Sequence, residues 1–128
     1  MPELYRTAKI SPAVNHQYHV GLHDEELLQM CKDHNITVTA YAPLGVGKVL
    51  QNAVTSRVAT VHGKTTAQVA IRWLVQRGAV TIPGANSAQY MHEHLDVFSW
   101  DLTEQEMASL NAQSTAPGRT YSDPHKIP

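Results

Sequence analysis

Three histidines near the amino end, His16, His19 and His23, lie within eight residues of the sequence. Imidazole nitrogens are common zinc ligands, and this spacing could place the three rings on one side of a helical turn. Gly21 interrupts the segment, however, and Cys31 falls on the apolar stripe of a predicted helix. We therefore predict neither a bound metal nor a cysteine nucleophile.

Two loops that contain glycine have the composition of phosphate-binding backbone. Leu44 to Gly47 follows a predicted strand, and glycine lets backbone N–H groups approach an anion without an intervening side chain. Gly84 to Ser87 precedes a predicted helix, whose N-terminal N–H groups favour phosphate oxygens. A plain strand-to-helix turn would give the first loop the same composition, so both interpretations stay open for it.

The elements that position these loops alternate between strand and helix. Strands are predicted over 12–15, 36–41 and 79–82, and we expect the third to be buried. Strands separated by helices favour right-handed crossovers and a parallel sheet. Because only three strands are visible, the sheet would have two open edges, which is unusual for an independent domain.

Capping signals predict where the helices begin. The predicted caps are Asp24, Thr65, Ser87 and Thr103, and both threonines have the capping-box pattern, with Gln or Glu three residues later. Val54, Val58 and Val61 lie at helical spacing and predict the apolar face of a helix over 51–62, which Gly63 ends.

Length and composition exclude several classes of protein. The chain has 128 residues, 42% of them hydrophobic, and a net charge of −1, which indicates one globular domain. Without a basic field, a nucleic-acid partner is not expected. No apolar run approaches the ~20 residues that cross a bilayer, so no membrane partner is expected either. The single cysteine and the absence of a visible signal peptide favour the cytoplasm.

Several motifs, in order along the chain, resemble the aldo-keto reductase family. Val38 to Gly45 is similar to the family signature Val-x-Ala-Tyr-Ser-Pro-Leu-Gly. His62 to Trp73 is similar to His-Gly-Lys-Thr-Pro-Ala-Gln-Val-Ala-Leu-Arg-Trp. Ser11 to Asn15, Ala79 to Gly84 and Leu102 to Met107 resemble the sixth strand, the eighth strand and the final helix of the family.

The resemblance implies a fold and a reaction. The family fold is a (β/α)8 TIM barrel with its chemistry at the carboxyl ends of the strands. The resemblance covers roughly its last three strand–helix units, so we expect an α/β partial barrel. Residues 1–128 would be the carboxyl-terminal portion, with 113–128 as its C-terminal loop. The family transfers a hydride between NADPH, or possibly NADH, and a small-molecule carbonyl.

The resemblance also implies a cofactor site. Its positions in this sequence are Gln17, Tyr41, Leu44, Gly45, Gly47, Gly84, Ala85, Glu93 and His94. Tyr41 would stack on the nicotinamide ring, since a flat π-face can hold it. The loop through Gly47 would wrap the pyrophosphate, although Ala42 and Val46 stand where the family has serine.

The second half of the implied site departs from the family pattern. Gly84 and Tyr90 stand where many members have the Lys and Arg that grip the 2′-phosphate of NADPH. Glu93 matches the glutamate that contacts adenine, and His94 replaces an asparagine that reads the same base. The preference for NADPH over NADH is accordingly weaker.

Near the first strand the alignment leaves two candidates for the residue that contacts the nicotinamide amide. The family continues with Gln after the position of Asn15, whereas this chain has His16 and then Gln17. The following stretch is one residue short. A one-residue shift turns a side chain to the other face of a strand, and the alignment alone does not decide between the two.

The catalytic Asp, Tyr, Lys and His of the family lie on earlier strands, which have no counterpart here. We therefore expect the chain alone to be inactive, as part of an NAD(P)H-dependent reductase. The alternative is a truncated, non-catalytic relative that binds nucleotide weakly or self-associates through its open sheet edges.

Overall fold

The computed structural model describes residues 7–16, 20 and 23–113. Its strands are β1 (Val14–His16), β2 (Thr37–Ala40) and β3 (Val80–Thr81). Its α-helices are α1 (Glu25–Asp33), α2 (Ala53–His62), α3 (Thr66–Gln76), α4 (Ala88–Leu95) and α5 (Glu104–Asn111), with 3-10 segments at Gly45–Gln51 and Asp96–Phe98. The predicted order of strands and helices is confirmed. The predicted site residue Gln17, and the predicted loop from residue 114 onwards, lie outside the described residues.

The described strands form a parallel sheet in the order β1-β2-β3. Val38 and Ala40 of β2 are buried in the core with the helices. Because side chains alternate along a strand, Thr37 and Thr39 point to the opposite face. Val14 and Val80 lie in register with these threonines and are 55% and 50% exposed. One face of the sheet is therefore covered by helices and the other, called the open face below, is not covered within the described residues.

Local capping chemistry begins the helices where the sequence predicts. Asp24 Oδ1 accepts from the backbone N–H of Leu27 at 3.1 Å, and Ser87 Oγ accepts from Tyr90 N–H at 3.2 Å. Both predicted capping boxes, at the starts of α3 and α5, are present with their reciprocal hydrogen bonds. Gly63 ends α2 in the left-handed conformation, with φ at 60°.

Helix α3 lies at the centre of the core. Trp73 and Leu74 are fully buried, and Trp73 Nε1 donates to Asn111 Oδ1 of α5 at 2.8 Å. Buried apolar surface contributes about 25 cal/mol per Å², so this helix holds much of the fold together.

Two predicted burial patterns are wrong. Val61 is 73% exposed, although Val58 on the same stripe is buried, because Val61 lines an open cleft between α2 and α5. The third strand is not buried as predicted. Val80 and Ile82 are about half exposed, since this strand lies at the edge of the sheet and these side chains lie on the open face.

Candidate functional site

The carboxyl ends of the described strands meet at one edge of the sheet. His16, the last residue of β1, pairs with Thr39, and Ala40 at the end of β2 pairs with Thr81 of β3. The segments that follow the strands therefore begin side by side. In a parallel α/β sheet this carboxyl edge is where ligands bind.

Tyr41 and His16 come together at this edge. Their ring centroids are 5.4 Å apart and the planes are nearly perpendicular, at 87°. Tyr41 follows β2 directly, so strand alternation places its side chain on the open face. It is partly exposed. The two rings thus form a small aromatic surface that is accessible from the open face.

Strand alternation fixes the direction of His16, one of the two candidates that the alignment left open. Asn15 hydrogen-bonds the thiol of Cys31 on α1, so its side chain faces the helices. His16 must then face the other way, toward Tyr41. Gln17 lies outside the described residues. His16 is therefore the candidate that the described residues place beside Tyr41, and the observation that orients it is the hydrogen bond of Asn15 rather than the family motif.

The loop from Tyr41 to Gly47 has a strained backbone. Ala42 and Val46 adopt positive φ angles, 45° and 53°, which non-glycine residues rarely do. Gly45 and Gly47 also have positive φ. Their N–H groups donate within the loop, to Ala42 O at 2.8 Å and Leu44 O at 3.0 Å. These glycines set the path of the loop, and their N–H groups are engaged inside it.

The second predicted group lies on the unit formed by the loop after β3 and helix α4. Gly84 is exposed, and nothing lies within 4 Å of the Cβ that an alanine would have there. Ala85 is partly exposed, as are Glu93 and His94 further along α4. Because β3 pairs in parallel with β2, this unit begins next to the loop that carries Tyr41, at the carboxyl edge of the sheet.

Gln68 fixes the position of α4. Its Nε2 donates to Glu93 O at 3.1 Å and to Asp96 Oδ2 at 3.0 Å, and its Oε1 accepts from Thr65 N–H at 3.0 Å. Gln68 is buried, whereas α4 itself has no buried residue. Together with Arg72 of α3, whose Nη1 donates to Val97 O at 2.9 Å, Gln68 thus holds the carboxyl end of the helix that carries Glu93 and His94.

The charges around Asp96 are structural. Lys64 Nζ lies 2.6 Å from Asp96 Oδ2 and, together with a hydrogen bond from Ser99, lowers the pKa of that carboxyl. Burial alone would raise the pKa of Glu106, but hydrogen bonds from Thr103 and His62 hold it below its usual value. These ion pairs and hydrogen bonds connect the helices to one another.

Neither Cys31 nor the cleft beside it belongs to this site. Burial raises the pKa of the Cys31 thiol, partly offset by the hydrogen bond with Asn15. An open cleft of about 410 Å³ is lined by Cys31 and Thr37. Because Thr37 begins β2, that cleft lies at the amino edge of the strand, opposite the loops described above.

The histidines do not form a metal site within the described residues. No three His, Cys, Asp or Glu side chains converge in that part of the chain. His16 contacts Tyr41, and the ring nitrogens of His23 lie 3.1 Å from Val20 O and 2.9 Å from Asn111 O. His19 lies outside the described residues. None of the helices in the described part of the chain is long and apolar enough to cross a membrane.

Comparison with known proteins matches one family over most of the chain. The model of the Aldo/keto reductase family matches residues 2–114. A 9,11-endoperoxide prostaglandin H2 reductase of Trypanosoma cruzi is 39% identical over 115 residues, which are 87% of this chain and 41% of that protein. Glyoxal reductase of Bacillus subtilis is 36% identical over 113 residues, 88% of this chain and again 41% of the relative. The chain spans about two fifths of the length of these relatives.

Solved structures agree with this match. The chain superposes on a mutant of Gox0644 in complex with NADPH with a TM-score of 0.89 and 31% identity. The superposition covers 98% of this chain and 46% of that one. An aldo-keto reductase from a deep-sea metagenome library gives a TM-score of 0.88 at 34% identity, with 98% and 47% covered.

Proposed function

The chain belongs to the aldo/keto reductase family, and we propose that it supplies one wall of the cofactor site of an NAD(P)H-dependent reductase of aldehydes and ketones. The observation that carries the proposal is the contact of Tyr41 with His16 at the carboxyl edge of the sheet. A partly exposed aromatic ring there offers a flat surface to a nicotinamide ring. NADPH, when bound, supplies the hydride that reduces the carbonyl carbon.

We assign to His16 the orientation of the nicotinamide amide. A neutral imidazole has one donor and one acceptor nitrogen, which complement the C=O and NH2 groups of a carboxamide. The side chain lies on the open face beside Tyr41, so one ring would hold the nicotinamide plane while the other fixes its rotation. A role for Gln17 stays a prediction.

The backbone around the two loops leaves room for phosphates. Nothing lies within 4 Å of an added Cβ at Gly47 or Gly84, so a ligand can approach the main chain closely at both positions. Lys48 is exposed in the 3-10 segment that begins at Gly45 and is the cation next to the first loop. Because positions 84 and 90 carry no cation, we expect the preference for NADPH over NADH to be weak.

We further propose that residues 1–128 correspond to the carboxyl-terminal portion of the family barrel, with 113–128 as a loop that closes the substrate pocket. The motifs that carry the catalytic Asp, Tyr, Lys and His of the family have no counterpart in this sequence. The described chain can therefore bind and orient a cofactor, but we expect it to provide no proton donor to the carbonyl oxygen. Purified alone, it should show no NADPH-dependent carbonyl reduction, and robust turnover would contradict this.

Cofactor binding tests the assignment of Tyr41. Titration of the chain with NADPH, followed by nicotinamide fluorescence, should show saturable binding. Tyr41→Ala should weaken it about fivefold, which corresponds to an aromatic contact of about 1 kcal/mol. Tyr41→Phe keeps the ring and is the matched control. Equal affinities for Tyr41→Ala and the wild-type chain, or no saturable binding at all, would contradict the proposed wall.

Cofactor preference tests the assignment of Gly84. Gly84→Lys places a cation where the family pattern has one, and the space around its Cβ is open. This variant should bind NADPH more tightly than the wild-type chain does, with no change for NADH, because only NADPH carries the 2′-phosphate. An equal effect on the binding of both cofactors would show that position 84 does not lie beside the 2′-phosphate.

The unpaired edges of the described sheet favour one alternative, a non-catalytic protein that binds nucleotide weakly and self-associates. Light scattering of the purified chain distinguishes this self-associating protein from the proposed wall of a reductase. A monodisperse monomer that binds NADPH would argue against self-assembly through the edges.

A further inference from the structure

The imidazole of His23 joins three elements of the fold. His23 lies just before α1, and its side chain is 3% exposed. Its ring packs against Trp73 of α3, with the ring centroids 5.2 Å apart. Nδ1 lies 3.1 Å from Val20 O, and Nε2 lies 2.9 Å from Asn111 O of α5. Both separations are those of N–H···O hydrogen bonds, so the ring links the segment between β1 and α1 to the end of α5.

Both ring nitrogens face carbonyl oxygens, and this decides how many protons the two contacts need. A carbonyl oxygen only accepts hydrogen bonds, whereas a neutral imidazole has one N–H and a lone pair on its other nitrogen. With one proton the ring satisfies one carbonyl group and turns a lone pair toward the other. With two protons it donates to both. The two contacts of His23 are therefore complete only when the ring is an imidazolium ion.

The surroundings of the ring suit a positive charge. Asn111 is the last residue of α5, so its carbonyl group has no partner within the helix and lies at the negative end of the helix dipole. The carboxylate of Glu25 lies 3.6 Å from His23 Nε2. Arg77, the other charged group that the described contacts place nearby, pairs with Glu25 and lies 4.9 Å from the Trp73 ring. Glu25 thus offsets the charges of the guanidinium and of the imidazolium.

We propose that His23 is a pH-sensitive clamp. In its doubly protonated form it ties the carboxyl end of α5 to Val20, and the loss of one proton releases one of the two contacts. The stability that the clamp contributes is present at acidic pH, where the ring holds both protons, and is lost as the pH rises. One consequence rests on the proposed function: Val20 lies four residues after His16, which that function places beside the nicotinamide, so the clamp restrains a segment next to the cofactor.

Urea unfolding at a series of pH values tests the clamp. The wild-type chain and His23→Gln are compared from about pH 5.5 to about pH 8.5, the range in which histidines titrate. Glutamine keeps a donor but does not titrate, and the other ionisable groups titrate in both chains. The folding equilibrium constant of the wild-type chain, relative to that of His23→Gln, should fall about tenfold over this range, the value of one hydrogen bond from a charged group. His92→Gln, which removes an exposed histidine, is the matched control.

Tryptophan fluorescence reports on the same ring directly, because an imidazolium ion quenches indole emission more strongly than a neutral imidazole does. The chain has two tryptophans, and Trp100 lies 5.0 Å from another imidazole, that of His62. Trp100→Phe therefore leaves Trp73 as the only reporter. Its emission should rise with pH in step with the loss of stability, and adding His23→Gln should abolish this rise.

Each result supports or overturns the clamp. A pH-independent ratio between the wild-type chain and His23→Gln, or equal behaviour of His23→Gln and His92→Gln, would overturn it, as would Trp73 emission that ignores the substitution at His23. Circular dichroism shows whether the variants fold. If His23→Gln does not, NMR of the ring nitrogens of the wild-type chain decides: two hydrogen-bonded N–H groups on His23 at acidic pH and one at alkaline pH are expected, and a single one throughout would contradict the clamp.

Cofactor titration separates the clamp from the proposed function. The affinity of the wild-type chain for NADPH, relative to that of His23→Gln, should fall over the same range of pH, and ionisation of the cofactor itself cancels in this ratio. If stability follows the pH as expected but the affinity ratio is constant, the clamp stands and its link to the nicotinamide site is refuted. If the chain does not bind NADPH at all, the proposed function fails, and unfolding and fluorescence still decide the clamp.

Discussion

Replacing Gln68 by methionine should remove the hydrogen bonds that hold the carboxyl end of α4 while changing the packing of the core little. Methionine has a similar volume, so no cavity forms. The variant loses three hydrogen bonds, from Thr65 N–H and to Glu93 O and Asp96 Oδ2. A neutral buried hydrogen bond contributes about 1 kcal/mol and one to a charged group about 1.5 or more. Asp96 is partly exposed and keeps Lys64 and Ser99 as partners, so we discount its share. The free energy of unfolding should fall by about 3 kcal/mol.

Urea denaturation followed by circular dichroism at 222 nm measures this loss. With a slope of about 2 kcal/mol per molar, the midpoint should fall by about 1.5 M. Gln89→Met is the matched control. It makes the same substitution on the exposed side of α4 and removes one hydrogen bond to Glu93. Such a pair contributes at most about 0.5 kcal/mol.

A second variant tests the oxygen and the NH2 group of the Gln68 amide separately. Gln68→Glu keeps an oxygen to accept from Thr65 N–H but places a carboxylate beside Asp96. It should be at least as unstable as Gln68→Met at neutral pH and recover as the pH falls. If Gln68→Met and Gln89→Met unfold at the same urea concentration, the reasoning from hydrogen bonds to helix position fails.

Three further predictions concern other parts of the fold. Gly63→Ala should cost about 1 kcal/mol in thermal or urea unfolding, because φ is +60° there, whereas Gly84→Ala should change stability little; equal costs would contradict the assigned conformations. The pKa of Glu106 is lowered in the folded state, so its contribution to stability is present above its unfolded pKa and is lost as the pH falls through the folded one. Glu106→Gln should therefore flatten the acid limb of a stability–pH curve, and an unchanged limb would contradict this. The raised pKa and burial of Cys31 predict slow reaction with a thiol reagent in native buffer and fast reaction in urea, and rapid native labelling would count against its burial.

The sequence predicted those features that depend on residues a few positions apart. The capping boxes at Thr65 and Thr103 and the cap at Ser87 all form, because each needs only a polar side chain three residues from a backbone N–H. Asn35, just after α1, adopts the left-handed conformation that asparagine tolerates better than most residues. The parallel order of the strands followed from the helices between them.

Features that depend on distant packing were not predicted. Periodicity placed Val61 on an apolar face, but only the arrangement of α2 and α5 shows that this position lies in an open cleft. The left-handed Val46 carries no local signal, since β-branched residues avoid that conformation. His16 was left undecided because its direction is fixed by Asn15 bonding to Cys31, a contact between two elements.

The open face of the sheet and the candidate cofactor site are parts of one surface. Tyr41 and His16 stand at the carboxyl edge of that face, and Val14, Val80 and Ile82 form its apolar remainder, each at least half exposed. Parallel sheets are almost always covered on both faces. A partner that covers this face would also exclude water from the edge where the two rings lie. Completing the sheet and enclosing the proposed cofactor wall would therefore be the same structural event, because the two rings and the exposed apolar side chains share one face.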